Sequence, residues 1–206
     1  MNEQQTNRWV LASGNLGKLK EFNKLFEPHQ VQLVPQGELN VPECEEPHFT
    51  FIENALEKAR HASAFTGLPA LADDSGLCVS ALKGAPGVHS ARYATLFGQE
   101  KSDANNNAAL IKQLDGATDR SAYFVCALVW VEHAKDPTPV IAQRMWWGEI
   151  QQAPSGQGGF GYDPHFYIPG QKKTASDLPP ELKNQLSHRA QATKVLMKEL
   201  SFRLGW

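Results

Sequence analysis

The chain has 206 residues, 41% hydrophobic and 20% charged, with a formal net charge of −2 and a pI near 6.4, which suits one globular domain or two lobes sharing a sheet. That balance excludes a broad basic face, so no nucleic-acid partner is expected, and any polyanion must be held locally by a few lysines and backbone amides. The apolar run 122–131 is too short to span a bilayer, the N-terminus lacks the cationic and apolar regions of a signal peptide, and Cys44, Cys78 and Cys126 form no metal or disulfide spacing; a cytoplasmic protein with reduced thiols and no membrane partner is expected.

Arg8–Ala12 reads as a first buried strand. It runs into Ser13-Gly14-Asn15-Leu16-Gly17-Lys18 and then a helix with Leu19, Phe22, Leu25 and Phe26 on one face, closed by Pro28. A strand, a small glycine-containing loop and a helix N-terminus with a lysine suit a phosphate, although the spacing is not that of a Walker A loop. A simple turn before a helix has the same appearance. Val31–Val34 alternates as a second strand, and Pro42–Pro47 forms an acidic loop with Glu43, Glu45 and Glu46. Thr50 and Glu53 form a capping box that opens a helix through Phe65. Its core face is Phe51, Ala55, Leu56, Ala59 and Ala62, and Gly67 stands where a C′ glycine belongs.

Ala70-Leu71-Ala72-Asp73-Asp74-Ser75-Gly76-Leu77 is an apolar run ending in two carboxylates, a hydroxyl and a glycine. The pattern predicts a buried strand that brings charge to an open edge and breaks into a turn, resuming as strand over Leu77–Leu82. Neighbouring strand side chains face opposite ways, so one aspartate is expected to work in a site while the other braces the turn. The alternative is an Asp-Ser-Gly turn that only solvates its acids. Gly84–Gly87 is a tight loop, followed by Ser90-Ala91-Arg92-Tyr93. Ser102 or Asp103 then caps a polar helix with Ala109, Leu110, Ile111 and Leu114 inward, stopped at Gly116.

Tyr123–Val131 and Val140–Trp147 are long strands joined as a hairpin by Asp136-Pro137-Thr138-Pro139, with Trp130, Trp146 and Trp147 serving as core or dimer surface. Gly156–Pro164 packs four glycines around Phe160, Tyr162 and Asp163, which precludes a regular element. Its glycines allow close backbone approach to a ligand, and Phe160 or Tyr162 is available to stack on a flat base. Pro179 and Pro180 start a short helix containing Lys183. Ser187 caps a final helix bearing Val195, Leu196, Leu200 and Leu204. His188 and Arg189 in its first turn oppose the helix dipole, which points to an anionic or carbonyl-bearing partner. The alternation of strands and helices indicates an α/β sheet with added antiparallel strands.

Together these features describe a nucleoside triphosphate site. Six motifs, in order, carry a resemblance: Ser13-Gly14-Asn15-x-x-Lys18, Phe51-Ile52-Glu53-Asn54-Ala55, Asp73-Asp74-Ser75-Gly76-Leu77, Ser90-Ala91-Arg92-Tyr93, Gly158-Gly159-Phe160-Gly161-Tyr162-Asp163-Pro164 and Ser187-His188-Arg189. The chain resembles the inosine/xanthosine triphosphate pyrophosphatases, hydrolases of non-canonical purine nucleotides, over nearly its whole length. The resemblance implies a single nucleotide pyrophosphatase domain over residues 1–206, built on a long twisted mixed sheet flanked by helices, with two lobes and a central substrate cleft. It implies Mg²⁺-dependent hydrolysis of ITP, dITP or XTP to the monophosphate and pyrophosphate by a homodimer. Carried over position by position, Ser13, Gly14, Asn15, Leu16, Gly17 and Lys18 hold the phosphates. Asp74 is the base and a metal ligand, Glu46 the second metal ligand, and Asp73 the brace. Ser75 contacts substrate, Phe160, Gly161, Tyr162 and Asp163 surround the base, and Lys183, His188 and Arg189 complete the pocket. Two other readings use the same parts: a pyrophosphatase for other modified or pyrimidine nucleotides, and a nucleotide-binding module without catalysis.

Overall fold

A computed structural model describes residues 7–13 and 16–206, with residues 16–18, 20 and 21 described as helical backbone alone. Seven strands are described: β1 (Asn7–Ala12), β2 (Val31–Pro35), β3 (Ala70–Val79), β4 (Ser121–Val131), β5 (Val140–Ile150), β6 (Phe166–Ile168) and β7 (Lys173–Thr174). They form one open sheet in the order β2-β1-β3-β4-β5-β6-β7. β1 pairs in parallel with β2 and β3, setting Trp9 opposite Leu33 and Leu11 opposite Leu71. β6 pairs antiparallel with β5 and β7, so the sheet is mixed.

β3 corrects the expected turn. It runs unbroken for ten residues through Asp73, Asp74, Ser75 and Gly76, between β1 and β4 in the sheet order. Every residue in it is buried except the half-buried Ser75. An inner strand has its backbone groups paired on both sides and both faces covered, and this overrides the local turn preference of Asp-Ser-Gly. The strand also stops at Val79, earlier than expected, where Ser80–Leu82 turns as a 3₁₀ segment.

The helices flank the sheet. α1 (Leu16–Phe26) buries Phe22 and Phe26, and Pro28 lies in the 3₁₀ turn that follows. α2 (Phe51–Thr66) is capped by Thr50, whose Oγ1 accepts from Glu53 N, and ends at Gly67 with φ +70°. Only half of the expected capping box is present, because the Thr50 hydroxyl donates to the Glu53 carboxylate at 2.6 Å. α3 (Asp103–Gln113) takes Ser102 as its cap, accepting from Asn105 N. α4 (Pro180–Leu186) starts on proline, and α5 (His188–Leu204) is capped by Ser187 Oγ, which accepts from Ala190 N at 3.2 Å. No helix among the described residues is long and apolar enough to cross a membrane.

The chain divides into two compact units. The first holds the chain through Asp74 with Ala127–Ala142 and Thr193–Trp206; the second holds Ser75–Cys126 and Gln143–Ala192. In the first, Trp9 packs against Phe26, Trp130 and Trp206 at centroid distances of 5.2, 5.2 and 5.7 Å. The second is built around Leu77, Leu110, Phe124, Trp146, Tyr162 and Phe166. β6 and β7 are three and two residues long, too short for a period-2 pattern to reveal them.

The connection between β4 and β5 is pinned by Asp136, which is 1% exposed. Its carboxylate accepts from Glu132 N, Thr138 N and Arg203 Nη2 at 3.0, 2.9 and 3.0 Å, and Arg203 also lies 5.0 Å from the Trp130 ring centroid. Burial works against the charge on Asp136, but these hydrogen bonds and the guanidinium outweigh it and hold the carboxyl below its ordinary value. Asp136→Ala is expected to cost about 2–4 kcal/mol at pH 7, read as a lower urea midpoint. A depressed carboxyl contributes stability above its unfolded pKa that is lost as pH falls through the folded value. The gap to the parent should therefore narrow in acid, as pH falls below the ordinary carboxylate range and through the depressed folded value; a gap unchanged there would refute the assignment.

Candidate functional site

In the first unit the site is organised by a lysine. Lys58 Nζ donates to Glu46 Oε1 at 2.8 Å, to the backbone oxygen of Asp73 at 2.9 Å and to Asp74 Oδ1 at 3.1 Å, which spends all three donors of an ammonium. Its side chain is 15% exposed, against 26% for Glu46 and 12% for Asp74. Burial opposes the ammonium, but Asp74 and Glu46 outweigh it and raise the Lys58 pKa. Burial also pushes the Asp74 carboxyl up to about 6; Glu46 and Asp73 add to the rise and Lys58 opposes it. Asp74 Oδ2 is buried and has no hydrogen-bond partner among the described residues.

Local sequence explains this convergence. Lys58 stands on α2 one turn beyond Asn54 and two beyond Phe51, on the face that also buries Ala55, Ala59 and Ala62. Asn54, 1% exposed, accepts from His48 N at 3.0 Å and donates to His48 O at 3.2 Å. That latch fastens the loop carrying Glu46 to α2. Glu43 and Glu45 are exposed while Glu46 is half-buried, so Glu46 is the acid of this loop that reaches Lys58. The sequence pattern assigns Lys58 no role, and includes Asn54 only as a member of the Phe51–Ala55 motif, with no partner assigned to it. The signal was there: a lysine and an asparagine on the buried face of an amphipathic helix need polar partners.

Asp73 and Asp74 alternate along β3, both buried, and Lys58 joins the main chain of one to the side chain of the other. Ser13 follows β1 and is half-buried. Gly14 and Asn15 lie outside the described residues, as do the side chains of Leu16 and Lys18. α1 begins at Leu16, three residues beyond Ser13, with Gly17 in its first turn.

In the second unit the glycine-rich segment folds back on itself. Gly156, Gly159 and Gly161 have φ of +86°, +80° and +60°, and a Cβ on Gly159 would fall on the Asp163 carboxylate. Asp163 Oδ2 accepts from Phe160 N at 2.9 Å and from Lys183 Nζ at 2.5 Å. Lys183 Nζ also lies 5.3 Å from the Phe160 ring centroid, in cation–π range. Gly161 is held at both of its backbone groups, its N–H donating to Asp103 Oδ2 at 2.7 Å and its oxygen accepting from Asn107 Nδ2 at 2.8 Å.

The two rings of this segment diverge. Tyr162 is 4% exposed, donates its hydroxyl to Ser90 O at 2.8 Å, and has its pKa raised by burial and then by Tyr93 and Asp103. Phe160 is 66% exposed and is the ring that presents a face. Asp163, 5% exposed, is spent on holding Phe160 N and Lys183. His188 stacks on Phe124 with centroids 4.9 Å apart and planes at 13°; Arg189 follows it in the first turn of α5, half-buried. Ser75 is half-buried on β3. Chemically, the first unit presents a buried carboxylate pair with an unsatisfied oxygen, and the second an open aromatic face beside an ammonium.

A family model described as the Ham1 family matches residues 9–199. A dITP/XTP pyrophosphatase of Ralstonia nicotianae is 61% identical over 193 residues, which is 94% of this chain and 96% of that protein. One of Bordetella pertussis is also 61% identical over 193 residues, covering 94% of this chain and 91% of its own length. The structure of a HAM1 protein from Coxiella burnetii superposes with a TM-score of 0.90 at 47% identity, covering 95% of this chain and 98% of that one. With a family model spanning nearly the whole chain and relatives 61% identical over 94% of it, this protein belongs to the Ham1 family.

Proposed function

We propose that this chain hydrolyses dITP, XTP and ITP to the nucleoside monophosphate and pyrophosphate, clearing such nucleotides from the precursor pool. The observation that carries this reading is the carboxylate pair Glu46 and Asp74 around the Lys58 ammonium, with Asp74 Oδ2 buried and unpartnered. The relatives named dITP/XTP pyrophosphatase supply the substrate class.

The donors fit a divalent cation. Asp74 and Glu46 offer hard carboxylate oxygens close to one another around Lys58. Few protein ligands and many substrate oxygens is the habit of Mg²⁺, so Glu46 and Asp74 are its proposed holders. When bound, Mg²⁺ supplies neutralisation of the triphosphate charge. The chain supplies the rest. Asp74, poised near 6, is ionised at neutral pH and close enough in pKa to take a proton at Oδ2 from an attacking water. That water is directed at the α-phosphorus while pyrophosphate departs. Lys58 holds Asp74 by Oδ1, which leaves Oδ2 for the reaction. Ser13, Gly14, Asn15, Leu16, Gly17 and Lys18 are proposed to cradle the phosphates at the α1 N-terminus, and Ser75 to contact substrate.

For the base, the open Phe160 face supports stacking. Lys183, fixed by Asp163, supports donation to a 6-oxo group, which hypoxanthine and xanthine present and adenine does not. An adenine amino group would face that donor unpaired. His188 and Arg189 are proposed to complete this end. The single-domain reading, with both units serving one reaction, a cytoplasmic location and a homodimer belong to the same proposal. The exposed Met145 and Trp147 on β5 support a covered face, which sedimentation of the purified chain decides.

Asp74→Asn should lower kcat by about 10²–10⁴ while dITP still binds in calorimetry; near-normal kcat would sink the base assignment. Lys58→Met leaves two carboxylates facing each other. The metal-free variant should lose about 2–4 kcal/mol, and magnesium chloride should restore more of its melting temperature than it adds to the parent. Equal shifts in both would argue against Glu46 and Asp74 as ligands. A nucleotide panel with pyrophosphate detection, run with and without Mg²⁺, should show ITP, dITP and XTP well above ATP, with Lys183→Ala narrowing the ITP/ATP ratio. Release from pyrimidine nucleotides alone, or binding without release, would favour the two competing functions.

A further inference from the structure

We infer that Asp103 and Asn107 of α3 are positioning residues for base selection, acting through the backbone of Gly161 on Phe160; the inference rests on the proposed function of that ring. The peptide joining Phe160 to Gly161 donates its N–H to Asp103 Oδ2, and the next peptide gives its oxygen to Asn107 Nδ2. Two successive peptide planes immediately after Phe160 are thus held by one helix face. Gly161 has φ +60° and open space where a Cβ would stand, so side-chain packing does nothing to fix it. Without the two hydrogen bonds from α3, a left-handed glycine next to a 66% exposed ring is free to swing.

The chemistry of the clamp has a definite polarity. Asn107 Nδ2 donates both to Gly161 O and to Asp103 O, each at 2.8 Å, while its Oδ1 has no partner among the described residues. The amide is held in one orientation, since the flipped one would set Oδ1 against two carbonyl oxygens. Asp103 sits one residue beyond the Ser102 cap, where a carboxylate suits the helix terminus, and its oxygen also fixes the Gly161 amide. On the other side of Phe160, Asp163 takes the Phe160 N–H and the Lys183 ammonium. The ring is therefore set between two clamps, and the α3 clamp is the one that touches neither ring nor lysine.

The test starts from four variants of the full chain and adds a Phe160→Ala background with and without Asn107→Leu. Asn107→Asp, near-isosteric, replaces the donor by an acceptor facing two carbonyls; Asn107→Leu deletes the donor; Asp103→Asn keeps an acceptor; Ser102→Ala removes the cap of the same helix without touching Gly161. Asn107→Asp and Asn107→Leu should raise KM for dITP about tenfold and lower the dITP/dATP ratio of kcat/KM by about as much, with kcat falling less, because a misplaced stacking ring costs binding and discrimination before chemistry. Asp103→Asn should lower the ratio less than twofold. Ser102→Ala should reduce thermal stability while leaving the ratio in place. In a Phe160→Ala background the Asn107→Leu effect on the ratio should vanish. Amide hydrogen exchange of residues 159–163, which needs no substrate, should speed up at least tenfold in both Asn107 variants. Unchanged exchange, an equal loss of ratio in Ser102→Ala, or an Asn107 effect that survives without the Phe160 ring would each overturn the inference. A parent chain that releases no pyrophosphate from dITP would instead overturn the proposed function, with exchange still deciding whether α3 clamps the loop.

Discussion

The carboxylate pair of the first unit depends on one half-buried ammonium. Lys58 reaches β3 twice and the acidic loop once, so these two stretches are registered against a single nitrogen of α2. Two carboxylates at this depth would repel each other, and desolvation would drive them to take up protons. The lysine offsets that repulsion and holds both carboxylates close, at 2.8 and 3.1 Å from its nitrogen. Its own placement rests on the Asn54 latch to His48 and the Thr50 cap, which fix how the acidic loop leaves α2. The pair is thus a consequence of a helix terminus, and the chemistry inherits its accuracy from ordinary helix capping.

The glycine-rich segment of the second unit is built on the opposite principle. There the backbone is irregular, and glycines at 156, 159 and 161 permit φ values that other residues resist. Order is restored by side chains that bond to main-chain groups: Asp163 to Phe160, Asp103 and Asn107 to Gly161, Tyr162 to Ser90. In the same unit His188, Phe124 and Phe166 form a row of rings with centroid spacings of 4.9 and 4.6 Å.

Much of this was legible in the residues alone. Periodicity and caps located α2, α3 and α5 because Thr50, Ser102 and Ser187 act locally, and local hydrogen bonds leave local signatures. The strands of the long hairpin were legible for the same reason. The Asp73–Gly76 stretch was misread as a turn because its conformation is set by sheet neighbours on either side, which no short window contains. Lys58 escaped notice because its partners lie twelve and sixteen positions away, beyond any helical or strand period. Tyr162 and Phe160 are equivalent on paper; only the fold turns one hydroxyl inward to Ser90 and leaves the other ring exposed.

The division of the chain bears on how the molecule is made. The first unit includes the chain through Asp74 and the segment Thr193–Trp206, while the second lies wholly within residues 75–192. During synthesis the nested unit has all its residues by position 192, while the outer one still lacks the Trp206 ring that stacks on Trp9 at 5.7 Å. Until then the apolar surfaces of β1 and α1 wait without their final cover. Contacts of such long sequence separation close slowly, and an exposed, unfinished core is where aggregation begins. The outer unit is therefore the one whose core closes across the longer stretch of chain.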